Sequence, residues 1–458
     1  MRSHQPLIIP RGDHPISRKM LSPNALRVLY RLRDNGFTAY LVGGCVRDLL
    51  LGREPKDFDL VTDATPGQIK RLFRNCRLVG RRFRLAHLHF ADEIVEAATF
   101  RSPVPDEPES EGGEPSDAGG AEEVPRRPPR HLKSEEGMLL RDNVFGTPEE
   151  DALRRDFTVN ALFYNIADFT IIDYAGGMED LQKGVIRTIG EPRVRFTEDP
   201  VRMLRAVRFA AMLGFSIEPA TWDAILDQSD AITMAAPPRL YEEVLKLFLL
   251  GEGEKSYQLL RQTGLFAALF PRFSAWLDRE TDGFPHTRVG KALDWVDSRV
   301  QRGEHVPPQL LLALMFGQYL EEKGERFRQE GAHPQPAVDM AVAELLEEIS
   351  PTVQVAGKVG WLVRHMLGYQ HRFGKTPGRN PASFLRRPGF GDALDYLCCT
   401  AEITGENREL CAWWRNYLRE NPLSGAAEAG GAETPKPPSG EKRRRRRRKK
   451  RRGPGTVT

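Results

Sequence analysis

The sequence predicts an α+β protein in which a mixed-sheet head is followed by all-α neck and body domains and by a disordered, basic C-terminal tail. Strand, turn, helix and strand patterns succeed one another within residues 40–62, and two runs with alternating apolar residues follow between residues 85 and 100. From about residue 198 onward, apolar residues recur mainly at helical spacing. The chain then ends in a dense run of positive charge.

Composition shifts divide the chain, whose 458 residues suffice for two to four domains. We expect an N-terminal extension at 1–25, a head at 26–190 with a disordered insertion at about 103–137, a helical neck at 191–263, a helical body at 264–423 and a disordered linker and tail at 424–458. The insertion is rich in Pro, Gly, Ser and Glu and has almost no large apolar residue, so it cannot form a core.

Composition also excludes several classes of protein. The chain has no run of eighteen apolar residues, so no transmembrane helix is expected. The apolar patch near the N-terminus is too short for a signal peptide. The five cysteines are odd in number and lack metal-ligand spacing, which argues against zinc. They fit packing or surface thiols in a reducing compartment, and we expect a cytoplasmic protein.

The element that organises the head begins with Tyr40-Leu41-Val42, a short apolar run that predicts a buried strand. Gly43 and Gly44 follow, and two residues without a Cβ allow the backbone to approach a polyphosphate closely. Residues 46–51 suit a helix whose N-terminus faces the same anion, and Gly52 suits its end.

A second strand is predicted at residues 57–61, where Asp57 and Asp59 share one face because strand residues i and i+2 point the same way. Two adjacent carboxylates repel each other, and a hard divalent cation relieves that repulsion. A Gly-Gly turn or an Asp-x-Asp pair alone is usually only a turn or a solvated strand edge. Together within 22 residues they indicate the geometry of two-metal nucleotidyl transfer.

Two further acidic residues of the head are ambiguous. Glu96 lies in the predicted strand 93–100, where it is either a third acidic group near the metals or a partner of Arg101. Asp156 lies in the run 152–165, for which an apolar stripe predicts a helix. Its carboxylate faces either the metals and nucleotide or a neighbouring arginine.

The neck begins with a predicted long helix from Glu198, with Pro200 near its N-terminus. Arg202, Arg205 and Arg208 recur at i+3 and form one positive face. The planar fork of arginine suits hydrogen bonds to a base edge or to phosphate. Arg205 and Arg208 have a second interpretation, in which they pack the head against the neck. We interpret the charges of residues 239–246 as structural.

The body has no catalytic signature, and its strong apolar stripes at 309–319 and 338–349 predict core helices. Several of its residues are candidates for RNA contact by charge and stacking, although surface helices carry such residues in any case. They are His365, His371, Arg372, Arg386, Arg387, Trp413, Trp414 and Arg415.

The tail contains eleven consecutive basic residues, Lys442 to Arg452, and without them the net charge of +4 becomes −7. Such a run attracts phosphate backbones through counterion release, without reading sequence. Nucleic-acid binding is the favoured interpretation, an anionic membrane surface the second, and a solubility tail the third. The predicted RNA-binding residues are Lys442, Arg443, Arg444, Arg445, Arg446, Arg447 and Arg448.

A set of head residues carries a family resemblance: Gly43, Gly44, Arg47, Asp48, Asp57 and Asp59. On these residues the sequence resembles the nucleotidyltransferase superfamily of DNA polymerase β, in the branch shared by bacterial poly(A) polymerases and CCA-adding enzymes. Residues 80–87, the insertion followed by GMLLRDN and the basic tail resemble the bacterial poly(A) polymerases in particular. The acidic, proline-rich content of the insertion departs from that pattern.

The resemblance implies a nucleotidyltransferase head that uses two magnesium ions with ATP as substrate. It implies that Asp57 and Asp59 hold the ions and that Asp156 completes the catalytic acidic set. It also implies an EDxxR motif that contacts the incoming base through Asp199 and Arg202. The full nucleotide-binding set that we expect is Gly43, Gly44, Arg47, Asp48, Arg155, Asp199, Arg202, Arg205 and Arg208.

Three functions compete on this evidence. The first is a template-independent poly(A) polymerase that extends RNA 3′ ends and supports RNA polyadenylation and turnover. The second is a CCA-adding tRNA nucleotidyltransferase, and the third is a non-enzymatic RNA-binding protein with a degenerate head. The intact motifs argue against the third, and the tail and inserts favour the first. We expect a monomer whose partners are RNA 3′ ends, ATP and RNA-decay proteins.

Overall fold

The computed structural model describes residues 5–80, 84–102, 132–133, 139–141, 145–279, 285–374 and 381–421. Its strands are β1 Leu7–Ile9, β2 Ala39–Val42, β3 Asp59–Thr62, β4 Cys76–Val79, β5 Leu85–His89, β6 Ile94–Thr99, β7 Leu132–Lys133, β8 Leu139–Arg141, β9 Leu162–Asn165, β10 Ile171–Asp173, β11 Val185–Ile186 and β12 Ser216–Ile217.

The helices of the head and neck are α1 Pro23–Asp34, α2 Gly44–Leu50, α3 Pro66–Leu72, α4 Pro148–Leu153, α5 Gly177–Lys183, α6 Pro192–Glu198, α7 Val201–Leu213, α8 Pro219–Gln228, α9 Pro237–Phe248 and α10 Gly253–Gln262. Those of the body are α11 Leu265–Leu269, α12 Pro271–Leu277, α13 Pro285–Gln301, α14 Pro308–Gln329, α15 Pro334–Ile349, α16 Gly357–Phe373, α17 Pro381–Leu385, α18 Phe390–Thr404 and α19 Arg408–Glu420. Short 3₁₀ turns lie at Arg11–Asp13, Arg18–Met20, Thr158–Asn160 and Ser229–Met234.

The head is built on one eight-stranded sheet in the order β1-β10-β9-β2-β3-β6-β5-β4. Strands β3 and β6 run parallel, and the other neighbours described in this sheet run antiparallel. The predicted mixed-sheet head followed by helices is therefore confirmed. The N-terminal extension belongs to this sheet, because Leu7 of β1 pairs with Asp173 of β10.

The predicted helix at 152–165 is wrong. Helix α4 ends at Leu153, a 3₁₀ turn follows, and Leu162–Asn165 is the central strand β9. The side chains of Leu162, Phe163 and Tyr164 are all completely buried. A strand buried on both faces has no polar alternation, so its apolar run resembles that of a helix.

The sheet is covered on both faces. On one face, Leu41 and Leu60 join the large core that continues into the helices of the neck and body. On the other face, Val42, Val61 and Phe163 belong to a smaller apolar cluster. The side chain of Asp59 lies on this second face, because Asp59 is two residues before Val61 in β3.

The neck packs on the head through α6 and α7, which are separated by Asp199 and Pro200. The predicted helix from Glu198 thus divides at this point, and Pro200 precedes the first residue of α7. Helix α7 packs against α9 and α10. In the body, Phe373, Phe384 and Trp414 form part of an aromatic core. Trp414 is therefore a core residue and not a contact for RNA, because its side chain is 2% exposed.

The cysteines differ from the expectation of free thiols. Cys398 of α18 and Cys411 of α19 form a disulfide, with Cα atoms 5.3 Å apart. The expectation is wrong for this pair because the packing of two helices brings together residues that are 13 apart in sequence. Cys45, Cys76 and Cys399 are free and buried.

Some predictions fall partly or wholly outside the described residues. They concern the insertion at about 103–137, the basic turn at 81–83 and the linker and tail at 424–458, which includes Lys442 to Arg448. Among the helices that the structure does describe, none has the length and apolarity needed to cross a bilayer.

Candidate active site

The turn after β2 requires a glycine at its first position. Gly43 has φ +78°, a backbone conformation that side chains rarely adopt. A Cβ atom there would lie 3.3 Å from Nη1 of Arg155 and 3.7 Å from the carbonyl oxygen of Asn160. The N–H of Gly43 donates to the carbonyl oxygen of Leu162, at 3.3 Å. The absence of a side chain at Gly43 therefore permits both this turn and the close approach of Arg155. Gly44 begins helix α2.

Three polar side chains form a row across the sheet beside this turn. Asp59 of β3 pairs in register with Glu96 of β6, and Glu96 pairs with His87 of β5. Nε2 of His87 lies 3.4 Å from Oε1 of Glu96. Glu96 is thus a neighbour of Asp59, and the described contact of its carboxylate is with His87. Its role as a third metal carboxylate stays a prediction.

The acidic side chains at this site destabilise one another. The pKa of Asp59 is raised to about 6, first by the loss of hydration within the site and then by the negative charges of Glu96 and Asp57, while Arg155 acts in the opposite direction. The residue still reaches solvent. A carboxylate with a raised pKa and acidic neighbours is the environment that a bound cation stabilises.

Asp57 lies two residues before β3, not within it, and it is exposed. The predicted strand therefore starts later than expected, although the charge of Asp57 still acts on Asp59. Among the described residues, no group of three or more His, Cys, Asp or Glu side chains is arranged to hold a metal ion. Metal binding by Asp57 and Asp59 thus stays a prediction.

Arg155 places a positive charge next to the glycine turn. Its Nε and Nη2 atoms donate to Oδ2 of Asp151, at 3.3 and 2.9 Å, and its Nη1 atom donates to the carbonyl oxygen of Asn160 at 3.5 Å. Its guanidinium also lies 5.6 Å from the ring centre of Phe163. Arg155 is therefore the predicted nucleotide-binding cation that the structure brings nearest to Gly43.

Arg47 has a different position, since it is 3% exposed. Its Nη1 atom donates to Oδ1 of Asn160 at 2.6 Å, and its Nε and Nη2 atoms donate to Oδ1 of Asp48 at 2.9 and 2.7 Å. Its guanidinium lies 5.1 Å from the ring centre of Phe209 in α7. These contacts make Arg47 a link between α2, Asp48 and the neck.

Asp156 is fully engaged by the protein. Its Oδ2 atom accepts from Nε of Arg205 at 2.7 Å, and its Oδ1 atom accepts from Asn160 at 3.2 Å and from the N–H of Phe157 at 2.9 Å. Burial alone would raise its pKa, but the charge and hydrogen bond of Arg205 bring the pKa down to about 2. These contacts favour the structural alternative for Asp156, which joins head to neck. Its catalytic role stays a prediction.

The two residues predicted to select the base, Asp199 and Arg202, differ in how firmly the protein holds them. Both carboxylate oxygens of Asp199 accept from Arg239, at 2.7 Å each. Arg202 has longer contacts, at 3.3 Å to the carbonyl oxygen of Arg195 and at 3.5 Å to Glu198. Arg202 is thus the less firmly held of the two.

Arg208 is 8% exposed and donates to Oε2 of Glu243 at 3.1 Å, while Arg205 holds Asp156. Both residues therefore match the packing interpretation. The charge of Glu243 is structural, as was expected for this segment, because Glu243 also accepts from Lys246 at 3.1 Å.

Sequence reasoning missed two residues that position the site. Asn160 contacts both Arg47 and Asp156, and nothing in the sequence distinguishes it from other asparagines. Arg195 donates to the carbonyl oxygens of Arg154 and Arg155, at 2.5 and 2.8 Å, and to Glu198 at 2.8 Å. Burial, then the charge of Arg202, lowers the pKa of Arg195 to about 10. The sequence feature that could have pointed to Arg195 is its position four residues before Asp199.

Comparison with protein families gives three matches along the chain. Residues 39–187 match the family described as Poly A polymerase head domain. Residues 214–277 match the family described as probable RNA and SrmB-binding site of polymerase A, and residues 330–452 match polymerase A arginine-rich C-terminus.

Among solved structures, the fold is similar to that of a tRNA nucleotidyltransferase complexed with a primer tRNA and an incoming ATP analogue. The TM-score is 0.56 at 23% identity, over 86% of this chain and 99% of that chain. A CCA-adding enzyme in complex with ATP matches with a TM-score of 0.56 at 21% identity, over 90% of this chain and 86% of that one. These likenesses show the fold.

Among relatives in sequence, poly(A) polymerase I of Salmonella typhi is 44% identical over 418 residues, which cover 91% of this chain and 86% of that protein. Poly(A) polymerase I of Escherichia coli O157:H7 is 43% identical over 91% of this chain and 87% of that one. A CC-adding tRNA nucleotidyltransferase of Halalkalibacterium halodurans is 34% identical over 53% of this chain and 52% of that one. With a matched head domain and relatives that align along most of both chains, this protein belongs to the poly(A) polymerase family of nucleotidyltransferases.

Proposed function

We propose that this protein is a template-independent poly(A) polymerase that adds AMP from ATP to RNA 3′ ends. One observation carries the proposal. The glycine turn at Gly43, the cation of Arg155 and the repelling carboxylates of Asp57 and Asp59 lie together where β2 ends and the adjacent strand β3 begins. The relatives that align over most of the chain are poly(A) polymerases.

In the proposed reaction, the 3′ oxygen of RNA attacks the α-phosphorus of ATP. The bond between that phosphorus and the oxygen bridging to the β-phosphate breaks, pyrophosphate leaves, and the proton of the hydroxyl passes to solvent. Arg155 attracts the phosphates, and Gly43 leaves room for them beside the turn. The contacts of Arg47 and Asn160 hold the turn against the neck.

The donor set fits magnesium. Asp57 and Asp59 offer hard oxygen ligands, Glu96 adjoins them, and loss of hydration together with the acidic neighbours raises the pKa of Asp59, which a bound cation would counteract. When bound, two magnesium ions activate the attacking hydroxyl and neutralise charge on the pyrophosphate. Asp57 and Asp59 would hold these ions, and Glu96 is the nearest additional carboxylate in register.

Base selection is assigned to Asp199 and Arg202. Arg239 orients the carboxylate of Asp199, and the long contacts of Arg202 leave its donors able to turn toward a base. The surroundings of Arg202 carry a positive excess, since Arg195 and Arg202 share the single carboxylate of Glu198. A site built from such hydrogen bonds discriminates because a wrong base leaves polar groups unpaired.

The test is to incubate the purified protein with a generic RNA or with a tRNA lacking CCA, and with each NTP separately. The proposal predicts long products from ATP on the generic RNA and little incorporation from the other NTPs. Incorporation of CTP confined to the tRNA end would instead identify a CCA-adding enzyme. Absence of any incorporation would leave RNA binding without catalysis.

We also infer from the sequence a cytoplasmic monomer that works with RNA-decay proteins. Light scattering on the purified protein measures its mass in solution, and a dimer would contradict the inference. Cell fractionation followed by co-purification with and without ribonuclease tests location and partners. Recovery of the protein only in a membrane fraction would overturn the expected location. Failure to recover any RNA-decay protein would overturn the expected partners.

A further inference from the structure

One segment of the body has charge of a single sign. The 43 residues from Ile349 to Gly391 contain no Asp or Glu but seven Lys and Arg residues, whereas the whole chain has 67 basic and 63 acidic residues. The segment includes helices α16 and α17. Such a surface attracts a polyanion, because no carboxylate within it offsets the field.

An aromatic ladder runs along α16 within this segment. The side chain of Trp361 is 45% exposed, and its ring centre lies 3.8 Å from that of His365, one helical turn away. His365 in turn meets the edge of Tyr369, with 6.2 Å between ring centres, and the guanidinium of Arg372 lies 6.0 Å from the ring of Tyr369. The carbonyl oxygen of Trp361 accepts from Nδ1 of His365 at 2.9 Å, which fixes the imidazole against the indole.

Packing of the core does not explain why Trp361 is exposed. Trp414, which does belong to the core, is 2% exposed and donates its Nε1 hydrogen to the carbonyl oxygen of Phe373 at 3.2 Å. Trp361 instead keeps a large ring at the surface, supported from below by a second ring. An exposed and supported aromatic face is the feature on which unpaired bases stack.

Two arginines outside α16 lie along the same ladder. Phe384 of α17 packs on Tyr369, with ring centres 5.4 Å apart. Five residues later, Gly389 faces Leu362, since a Cβ atom there would lie 4.0 Å from the leucine. The intervening chain therefore runs beside α16 between these two points, and it carries the exposed residues Arg386 and Arg387.

The cations around the ladder are not neutralised by the rest of the described structure. Lys358, Arg364, Arg386 and Arg387 form no ion pair with any described residue, and Nε of Arg364 is buried without a hydrogen-bond partner among them. On the adjacent helix α15, by contrast, the carboxylates of Glu344 and Glu348 both contact Lys323. The positive charge beside α16 therefore stays available to a ligand.

We propose that this surface binds single-stranded RNA, with a base stacked on Trp361 and its phosphates along the neighbouring cations. We call it the α16 face and define it by Lys358, Trp361, Arg364, His365, Arg386 and Arg387. Stacking on a π face and attraction to phosphate do not read sequence, which suits a growing adenosine tract of any length. The inference rests on the proposed function only in taking RNA as the substrate.

The test measures binding of the full-length protein to two oligonucleotides of equal charge, without ATP and with blocked 3′ ends, so catalysis plays no part. One is an oligoadenylate of about ten nucleotides, and the other has the same backbone with abasic positions. The unmodified protein should bind the first about tenfold more tightly. Trp361→Ala should reduce that ratio to near one, and Trp361→Phe should preserve most of it.

Two double variants test the charges. Arg386→Ala/Arg387→Ala should lower the affinity for both oligonucleotides several-fold and make binding less dependent on salt. Lys70→Ala/Arg71→Ala, which removes two exposed cations from α3 in the head, should have little effect on either.

Measurements at raised salt suppress the electrostatic contribution of the basic tail, and the effect of Trp361 should persist there. An unchanged ratio in Trp361→Ala would overturn the proposal and leave a protein partner as the alternative occupant. Adenylation assayed separately distinguishes this failure from failure of the proposed function, because the binding ratio does not depend on turnover.

Discussion

The site around Asp59 in the head and helix α7 of the neck both concentrate charge, but only the charges on α7 are paired with opposite charges. At the glycine turn, loss of hydration raises the pKa of Asp59, and the negative charges of Glu96 and Asp57 raise it further, so like charges lie close together there. On α7, Arg205 and Arg208 donate to Asp156 and Glu243 at 2.7 and 3.1 Å.

This difference distinguishes residues that we expect to act on the substrate from residues that hold the head and the neck together. Repelling carboxylates destabilise the free protein and are stabilised when a cation binds, so they mark a ligand site. Buried ion pairs are satisfied internally, and removal of one partner leaves an uncompensated charge. Arg202 lies between the two classes, because its contacts are 3.3 Å or longer.

The largest expected effect follows from Asp57→Asn. Loss of this carboxylate should lower the kcat of adenylation by roughly a hundredfold or more, because it removes charge that stabilises the transition state through the metals. The exposed position of Asp57 predicts an unchanged free energy of unfolding. Steady-state assays with urea denaturation measure both, and Asp63→Asn is the matched control at the exposed opposite end of β3. Near-normal adenylation by Asp57→Asn would refute the role of the Asp-x-Asp pair.

The next effect concerns stability and pH. The pKa of Asp156 is about 2 in the folded protein, below its usual value of about 3.9 when unfolded. Its charged form therefore stabilises the fold above about pH 4, by about 2 kcal/mol, and that contribution is lost as the pH falls toward 2. The destabilisation by Asp156→Asn should be constant from pH 7 to about 5 and shrink below that. Urea denaturation of both proteins across this range tests the sign, and a difference that grows on acidification would contradict it.

A smaller effect is expected from Arg202→Ala. ATP use should fall, and the preference for ATP over other NTPs should decrease by about tenfold, because a hydrogen-bond donor to the base is lost. Arg208→Ala on the same helix serves as the comparison, since it should lower stability while leaving selectivity unchanged. Competition among four NTPs measures the selectivity. Equal selectivity in Arg202→Ala and the unmodified protein would exclude this role.

The smallest effect on turnover is expected from deletion of residues 441–458. The basic tail should hold RNA near the head, since about 18 residues precede it from Ser424, and a random coil of that length spans on the order of 20–25 Å. The deletion should raise the KM for RNA and reduce processivity at low salt, with kcat and the KM for ATP nearly unchanged. Primer extension at several salt concentrations is the assay. The same salt dependence in both proteins would show that the tail does not carry the RNA.

The sequence predicted the parts of the site that are local. Gly43, Gly44, Asp57 and Asp59 lie within one strand–turn–helix–strand unit, whose geometry follows from short-range patterns, and the structure places them where β2 ends and β3 begins. The mixed sheet followed by helices was predictable for the same reason.

Partners that are distant in sequence were not predictable. Asp156 and Arg205 are 49 residues apart, and the packing of head on neck decides that they meet. The disulfide between Cys398 and Cys411 likewise depends on how two helices pack. The prediction of a helix where β9 lies was wrong for another reason. Burial of β9 on both faces removes the polar alternation by which a strand is recognised.

The most direct test of the distinction between unpaired and paired charges applies one chemical change, Asp→Asn, to Asp59 and to Asp156, and measures kcat per folded molecule and the free energy of unfolding for each. We predict that Asp59→Asn loses about a hundredfold or more in kcat with stability unchanged or higher. For Asp156→Asn, the structural alternative predicts a loss of about 2 kcal/mol of stability and retention of most of the kcat, whereas a catalytic Asp156 would predict loss of kcat. The opposite pattern, with a stable and inactive Asp156→Asn and an active Asp59→Asn, would contradict this account.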